Sequence, residues 1–263
     1  MKNKSLTRLQ ITIFLVSSIK AKIMTDKIQI ENILFLDIET VPQTYVYEEL
    51  DEDTKHLFES KTRSQKTELK TYEDIYQERG GILAEFGKIV CISVGYIRTN
   101  SFGDKTMRIK SFSHEDEETL LIQFKKMLED HFSSSSNLLC GHNAKEFDFP
   151  YICRRMLING IKIPSILNLS GKKPWEINHI DTMELWKFGD YKAYTSLALL
   201  CHVFKIPTPK DDISGADVAR VYYEEKDLNR IAKYCEKDVV ALIQLYLKIT
   251  GNSLVDESNI QMV

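Results

Sequence analysis

The sequence predicts a single α/β domain in which a mixed central β-sheet is flanked by helices. The first observation is a nearly continuous apolar run at 33–39, typical of a central strand buried on both faces. The second is a pair of apolar blocks, 88–97 and 107–112, which the turn-rich segment 99–104 joins into a predicted antiparallel hairpin. The third is an alternation of strand and helix patterns in the second half of the chain. A chain of 263 residues with 43% hydrophobic content can bury one good-sized core.

The remaining elements follow from capping signals and apolar periodicity. Ser113 and Asp116 have the spacing of a capping box before an amphipathic helix. Residues 137–143 have the pattern of another strand, and a helix is predicted from Pro150 to Asn159, where Gly160 ends it. Further helical patterns cover about 194–205, 215–224 and 226–250.

Composition changes along the chain suggest its domain boundaries. We expect residues 1–26 to be a flexible N-terminal extension and residues 27–251 to form the domain. Residues 43–80 are strongly charged and have little core-forming periodicity, so we predict a partly helical surface insertion there, and we expect 252–263 to be a C-terminal tail. The alternative interpretation of the N-terminal extension is a secretory signal peptide, because the apolar run 11–16 imitates one. That run is too short to span a bilayer, and no small-residue cleavage site follows it. No membrane partner is predicted.

The charge balance and the cysteines limit the possible classes of protein. The formal net charge is −3, with 35 basic and 38 acidic residues, which argues against nucleic-acid binding through a global basic field. A polyanion would have to be captured locally. The five cysteines are odd in number and never form a C-x-x-C pair, so we predict reduced thiols and a cytoplasmic protein.

A first pair of acids, Asp37 and Glu39, ends the apolar strand. Because they are two residues apart on a strand, both side chains point to the same face of the sheet. Two adjacent ionised carboxylates are costly unless a cation neutralises them, and oxygen ligands favour Mg²⁺ or Mn²⁺. The alternative is a solvated strand end.

A second group, Asn143, Phe147 and Asp148, lies at the predicted junction between a strand and the helix at Pro150. Loops at strand ends are where a scaffold presents catalytic groups. The alternative is structural, since an Asp shortly before a helix-starting proline is a good N-cap and an Asn can stabilise a turn.

A third group, Tyr234 and Asp238, lies on the last long helix. Positions i and i+4 share a helix face, so the hydroxyl and the carboxylate can reach the same point. The apolar stripe of that helix places both at its margin, where an unpaired acid is expensive. The alternative is a tyrosine whose hydroxyl bonds a nearby carboxylate.

Together, and in this order, the three groups resemble the motifs of the DEDD exonuclease superfamily, which has a ribonuclease H-like fold. The matching patterns are Asp37-x-Glu39, Asn143-x-x-x-Phe147-Asp148 and Tyr234-x-x-x-Asp238. Tyrosine in the third motif is similar to the DEDDy branch. The surrounding residues resemble the stand-alone exonucleases related to the proofreading domain of family B DNA polymerases, over about residues 30–250.

The resemblance implies a metal-dependent 3′-5′ exonuclease that releases nucleoside 5′-monophosphates from DNA, expected to be single-stranded. It implies that Asp37, Glu39, Asp148 and Asp238 hold two divalent cations, Mg²⁺ or Mn²⁺, and that Tyr234 orients the attacking water. It also makes Thr40, Asn143 and Phe147 candidates for binding the substrate.

Candidate contacts to the nucleic-acid backbone are Arg154, Arg155, the lysines from 61 to 70, and the lysine pair at 172–173. Two other functions remain open: an RNA-trimming exonuclease of the ribonuclease D type, and a non-catalytic nucleic-acid-binding module on the same fold.

Overall fold

The computed structural model describes residues 28–190, 192, 194–207 and 213–263. The predicted N-terminal extension, residues 1–26, lies outside these described residues. Among the helices described, none is long and apolar enough to cross a membrane.

Six strands form one mixed sheet with the order β5-β4-β1-β2-β3-β6. Strand β1 pairs with β2, and β2 with β3, in antiparallel fashion, whereas β1–β4, β4–β5 and β3–β6 are parallel. The strands are β1 (Ile33–Pro42), β2 (Gly87–Thr99), β3 (Lys105–Ser113), β4 (Leu138–Gly141), β5 (Ile180–Asp181) and β6 (Ile260–Met262).

Helices cover both faces of this sheet. The α-helices described are α1 (Glu52–Thr62), α2 (Tyr72–Arg79), α3 (Glu117–His131), α4 (Asp148–Ile158), α5 (Thr182–Lys187), α6 (Leu197–Phe204), α7 (Val218–Arg220) and α8 (Leu228–Ile249). A π-helical turn, Val221–Glu225, continues α7.

Strand β1 is the centre of the core because both of its faces are covered. Leu34 and Leu36 pack in the cluster that includes α3 and α4, and Ile33 and Phe35 pack with α8 on the other face. All four side chains are at most 1% exposed. The predicted α/β class with a mixed sheet and the predicted hairpin are confirmed.

Two predicted helix starts need correction. Asp116 alone caps α3, accepting a hydrogen bond from the Thr119 amide at 3.0 Å, because Ser113 is still the last residue of β3. Helix α4 begins at Asp148 rather than at Pro150, so the proline occupies the first turn, where it loses no helical hydrogen bond.

The segment 43–80 contains α1 and α2, as predicted for a partly helical insertion, but it also has a small core of its own. The Phe58 ring centroid lies 5.2 Å from that of Tyr76 and 5.1 Å from that of Phe86, both edge-on. Sequence periodicity did not indicate this cluster because its aromatic side chains come from several short elements rather than from one helix face.

The prediction that 252–263 is a tail was wrong. Its residues 260–262 form β6, which extends the sheet along β3. Val255 anchors the segment to α8, because its amide donates to Gln244 Oε1 at 3.0 Å and its carbonyl accepts from Gln244 Nε2 at 2.7 Å.

A buried ion pair connects α3, α4 and β2. Arg155 Nε and Nη2 donate to the Glu117 carboxylate at 2.9 and 2.5 Å, and Arg155 Nη1 donates to the Ala84 carbonyl at 2.8 Å. Glu117 also accepts from the Ile89 amide at 2.7 Å. Arg155 is 5% exposed, so the prediction that it contacts nucleic acid was wrong.

We expect Arg155→Ala to lower the free energy of unfolding by about 3–5 kcal/mol, because it leaves Glu117 buried and uncompensated. Urea denaturation followed by circular dichroism measures this loss. The matched control is Lys126→Ala, which removes an exposed ion pair with Asp130 and should change the free energy of unfolding far less. Equal losses in the two variants would contradict the prediction.

Candidate active site

The candidate site lies in the middle of β1, where Asp37 and Glu39 point to the α8 face of the sheet, and the strand continues past them to Pro42 rather than ending at Glu39 as predicted. Asp37 pairs with Ser93 of β2 and Glu39 with Cys91, and the register shifts between Glu39 and Thr40. A β-bulge at such a place bends the strand and re-aims the side chains beside it. Glu39 is only 7% exposed, although it is a carboxylate.

The electrostatics show that the acids of the three motifs act on one another. Burial raises the pKa of Asp37 well above its usual range, and the charges of Asp148 and Asp238 raise it further. Burial likewise raises the pKa of Glu39, and the charges of Asp37 and Asp238 raise it further. Like charges act most strongly at short range, so these effects are consistent with four acids that lie near one another.

Asp148 is held inside the protein rather than at a solvent-exposed cap. The N-cap of α4 is Phe147, which makes no side-chain cap bond, and Asp148 is the first residue of the helix and 5% exposed. Burial raises the pKa of Asp148 to about 7, against the lowering effect of the backbone amides of Asp148 itself and of Ile38. The alternative that Asp148 only caps the helix is therefore not supported.

The loop before α4 is fixed by Asp181. Its carboxylate accepts from the amides of Asn143 at 2.9 Å, Lys145 at 3.1 Å and Met183 at 2.9 Å. Asn143 adopts a left-handed conformation with φ +63°, which asparagine tolerates better than most residues. Asp181 caps α5 and at the same time sets the path of the chain toward Asp148.

Tyr234 and Asp238 lie on one face of α8, as their spacing predicts. Both side chains are half-buried. Burial raises the pKa of Tyr234, the charges of Asp238 and Glu39 raise it further, and a hydrogen bond with Asp238 also contributes. The phenol therefore stays protonated at neutral pH and is a hydrogen-bond donor beside the acids.

The three candidates for substrate binding, Thr40, Asn143 and Phe147, have different local contacts. Asn143 Nδ2 donates to the Tyr194 hydroxyl at 3.2 Å, and the Phe147 ring packs against that of Tyr151 at 5.3 Å. Thr40 follows the bulge and is partly exposed. Thr40 and Phe147 each adjoin a motif acid in the chain, whereas Asn143 lies five residues before Asp148.

Cys235 is a site residue that sequence reasoning missed. Its thiol lies 3.5 Å from Asp37 Oδ2 and 3.5 Å from the Asp37 carbonyl oxygen. Ligand atoms of Asp37, Glu39 and Cys235 all lie within 4.8 Å of one another. Cys235 lies in the apolar stripe of α8, so the sequence pattern indicated an ordinary core residue. Only its position next to Tyr234 could have indicated that it lies at the candidate site.

The donor set fits a hard divalent cation. Asp37, Glu39 and Asp148 take part in none of the ion pairs among the described residues, and Glu39 receives no hydrogen bond there. Buried carboxylates normally need a cation or several donors. Carboxylate oxygens in this number are the ligands that Mg²⁺ and Mn²⁺ prefer.

Comparison with known families identifies the class. Residues 82–259 match the model of a family described as predicted 3′-5′ exonucleases related to the exonuclease domain of PolB. Because the match covers more than half of the chain, the protein belongs to this family. Asp148, Tyr234 and Asp238 lie within the matched residues, whereas Asp37 and Glu39 precede them. No curated protein matches the chain significantly.

Among solved structures, the chain is similar to the family B DNA polymerase from the hyperthermophilic archaeon Pyrobaculum calidifontis. The TM-score is 0.51 at 15% identity, over 82% of this chain and 24% of that chain. The chain thus spans about a quarter of the polymerase. At this identity the likeness shows the fold alone, and it confirms the predicted ribonuclease H-like fold.

The raised pKa values make the stability of the metal-free protein depend on pH. The folded protein retains protons on the site acids where the unfolded chain has lost them, so stability falls as the pH rises from about 4 toward about 7. We therefore expect Asp148→Asn to raise the free energy of unfolding by about 4 kcal/mol at pH 8 and to change it little at pH 4. Urea denaturation in a chelator measures both values.

The control for this experiment is Asp130→Asn, which removes an exposed acid whose pKa is lowered by the hydrogen bond from Lys126. That variant should not become more stable at pH 8. A destabilised Asp148→Asn protein at pH 8 would show that the buried carboxylate is not under electrostatic strain.

Proposed function

We propose that the protein is a metal-dependent 3′-5′ exonuclease that removes nucleotides from the 3′ end of single-stranded DNA as nucleoside 5′-monophosphates. Membership in a family of predicted 3′-5′ exonucleases supports the reaction class. The observation that carries the proposal is the mutual electrostatic effect of Asp37, Glu39, Asp148 and Asp238, which come from three separate segments. A fold that only bound nucleic acid would gain nothing from holding repelling acids together.

In this proposal, the four carboxylates hold two divalent cations, Mg²⁺ or Mn²⁺. When bound, such ions supply the positive charge that a phosphodiester needs and activate water for attack. Asp37 and Glu39 present their oxygens from the rigid central strand, and Asp148 approaches from the start of α4. Asp238 completes the set from α8.

Tyr234 is proposed to position the attacking water. Its raised pKa makes it a poor base at neutral pH, but its hydroxyl can hold the water by hydrogen bonding. The interaction with Asp238 orients the phenol toward the acids. Its position on a long helix, rather than on a loop, limits its movement.

Substrate preference is proposed from the surroundings of the acids. Thr40, Asn143 and Phe147 are candidates for contacting the terminal nucleotide, since Thr40 and Phe147 adjoin a motif acid in sequence and Asn143 lies in the loop that leads to Asp148. The five cysteines are free thiols, which supports the expected cytoplasmic location.

The test uses DNA labelled at its 3′ or 5′ end, with matched RNA and duplex DNA, in Mg²⁺, Mn²⁺ or chelator. We expect mononucleotide release from the 3′ end of single-stranded DNA only with a divalent ion. Asp37→Ala should lower the rate by more than about 100-fold, because loss of a direct ligand exceeds the effect typical of outer-shell partners.

The control is Asp130→Ala, which removes an exposed acid of α3 and should retain the wild-type rate. Thermal melting confirms that both variants fold. Undiminished release by Asp37→Ala would refute the site. Faster release from RNA than from DNA would assign the ribonuclease D type of activity instead.

Tyr234→Phe tests the role of the hydroxyl separately. We expect kcat to fall by about 10- to 100-fold, because water is less well oriented, while Mn²⁺ affinity by calorimetry stays unchanged. Tyr72→Phe, in α2 of the insertion, is the matched control. A loss of Mn²⁺ affinity with normal kcat would show that the phenol supports the metal site and not the water.

A further inference from the structure

A second cavity lies near the start of β1 and opens on the other face of the sheet. It has a volume of about 750 Å³, in the range typical of small-molecule sites. Leu34 of β1 lines it, three residues or roughly 10 Å before Asp37 along the strand, and the two side chains point to opposite faces. The cavity is therefore separate from the candidate active site.

The cavity exists because α3 does not cover the whole sheet. Helix α3 ends at His131, and Phe132 closes its last turn, while β2 and β3 continue beyond it. Tyr96 of β2 packs edge-on against Phe132 with ring centroids 6.5 Å apart. The uncovered corner of the sheet forms the cavity floor.

This floor is strongly basic. Arg98, Arg108 and Lys110 all line the cavity, and the pairing of Tyr96 with Arg108 and of Val94 with Lys110 places them on one face of β2 and β3. His131 adds a fourth basic side chain at the rim. Such a concentration of positive charge is unusual in a chain with net charge −3.

The basic residues lack acidic partners. None of Arg98, Arg108 and Lys110 forms an ion pair among the described residues, although Glu31 and Val263 with its α-carboxylate also line the cavity, and Glu31 bonds the Thr99 hydroxyl. Like charges on neighbouring positions of a sheet face are destabilising. Held together without ion pairs, these three side chains are arranged to receive an anion.

Arg108 supplies an independent indication of a missing acceptor. Its Nη1 donates to the Tyr96 hydroxyl at 3.4 Å, but its Nε is buried and has no hydrogen-bond partner. A buried donor without an acceptor costs free energy that a ligand oxygen would recover. The Arg98 guanidinium lies 5.5 Å from the centre of the same Tyr96 ring, so the two arginines are held beside one aromatic side chain.

We propose that this cavity binds a nucleotide, with its phosphate oxygens on Arg98, Arg108 and Lys110 and its base against Tyr96, which Phe132 supports from behind. Arginine forks match phosphate geometry, and the aromatic wall offers a planar base an apolar contact. The nucleotide is either free or part of a single strand, and these two sources share the same chemistry. The inference does not depend on the proposed nuclease activity.

The experiment measures binding by calorimetry in a chelator, so that the carboxylate site cannot hold a metal-bound nucleotide. The probes are dTTP, inorganic tripolyphosphate, thymidine and a single-stranded dT oligonucleotide. We expect saturable binding of dTTP or of the oligonucleotide that is stronger than that of tripolyphosphate, weakens with salt, and is undetectable for thymidine.

The test variant is Arg108→Gln/Lys110→Gln, and the control is Lys125→Gln/Lys126→Gln, which removes the same charge from ion-paired lysines of α3. We expect roughly tenfold or greater loss of affinity in the first and no change in the second. Melting curves confirm the fold of both.

Each outcome decides the proposal. If dTTP binds more tightly than the oligonucleotide, the ligand is a free nucleotide; if the oligonucleotide binds more tightly, the ligand is a single strand. Either assignment requires that the test variant loses affinity for that ligand and that the control variant does not. Absence of binding to the wild-type protein, equal loss in both variants, or tripolyphosphate binding as tightly as dTTP would overturn it.

Discussion

Repulsion among carboxylates in the middle of β1 is the constraint on which the rest of the structure depends. Asp37 and Glu39 are attached to a central strand that is covered on both faces, so their backbone positions are fixed. The charges of Asp148 and Asp238, which lie on two helices, raise the pKa values of Asp37 and Glu39. In the absence of a cation, the packing of the surrounding elements and protonation of the acids together hold this arrangement.

The packing that holds it is visible around each acid. Strand β1 is covered on both faces, and α4, which begins at Asp148, is fixed to α3 by the ion pair of Arg155 with Glu117. Asp181 accepts three backbone hydrogen bonds and thereby fixes the loop that leads to α4. If the acids hold a cation as proposed, preorganisation of this kind would keep their oxygens in place before the cation binds, so that little reorganisation would be needed.

Local patterns predicted the parts of the fold that depend on neighbours in sequence. The apolar run at 33–39, the hairpin and the long last helix follow from periodicity, and the acids were found because each lies at a predicted strand end or a helix margin. Cys235 and Arg155 were misjudged, because their roles depend on which distant residue lies opposite. The pairing of β6 with β3 and the aromatic core within 43–80 are long-range contacts of the same kind.

The two proposed sites would allow a net-acidic chain to bind a polyanion. Strand β1 presents carboxylates on one face of the sheet, whereas the neighbouring strands present Arg98, Arg108 and Lys110 on the other. Separation along the strands and across the sheet keeps these opposite charges from neutralising each other by direct ion pairing. The proposed cation site and the proposed anion site can therefore coexist on one rigid sheet, because the sheet itself lies between them.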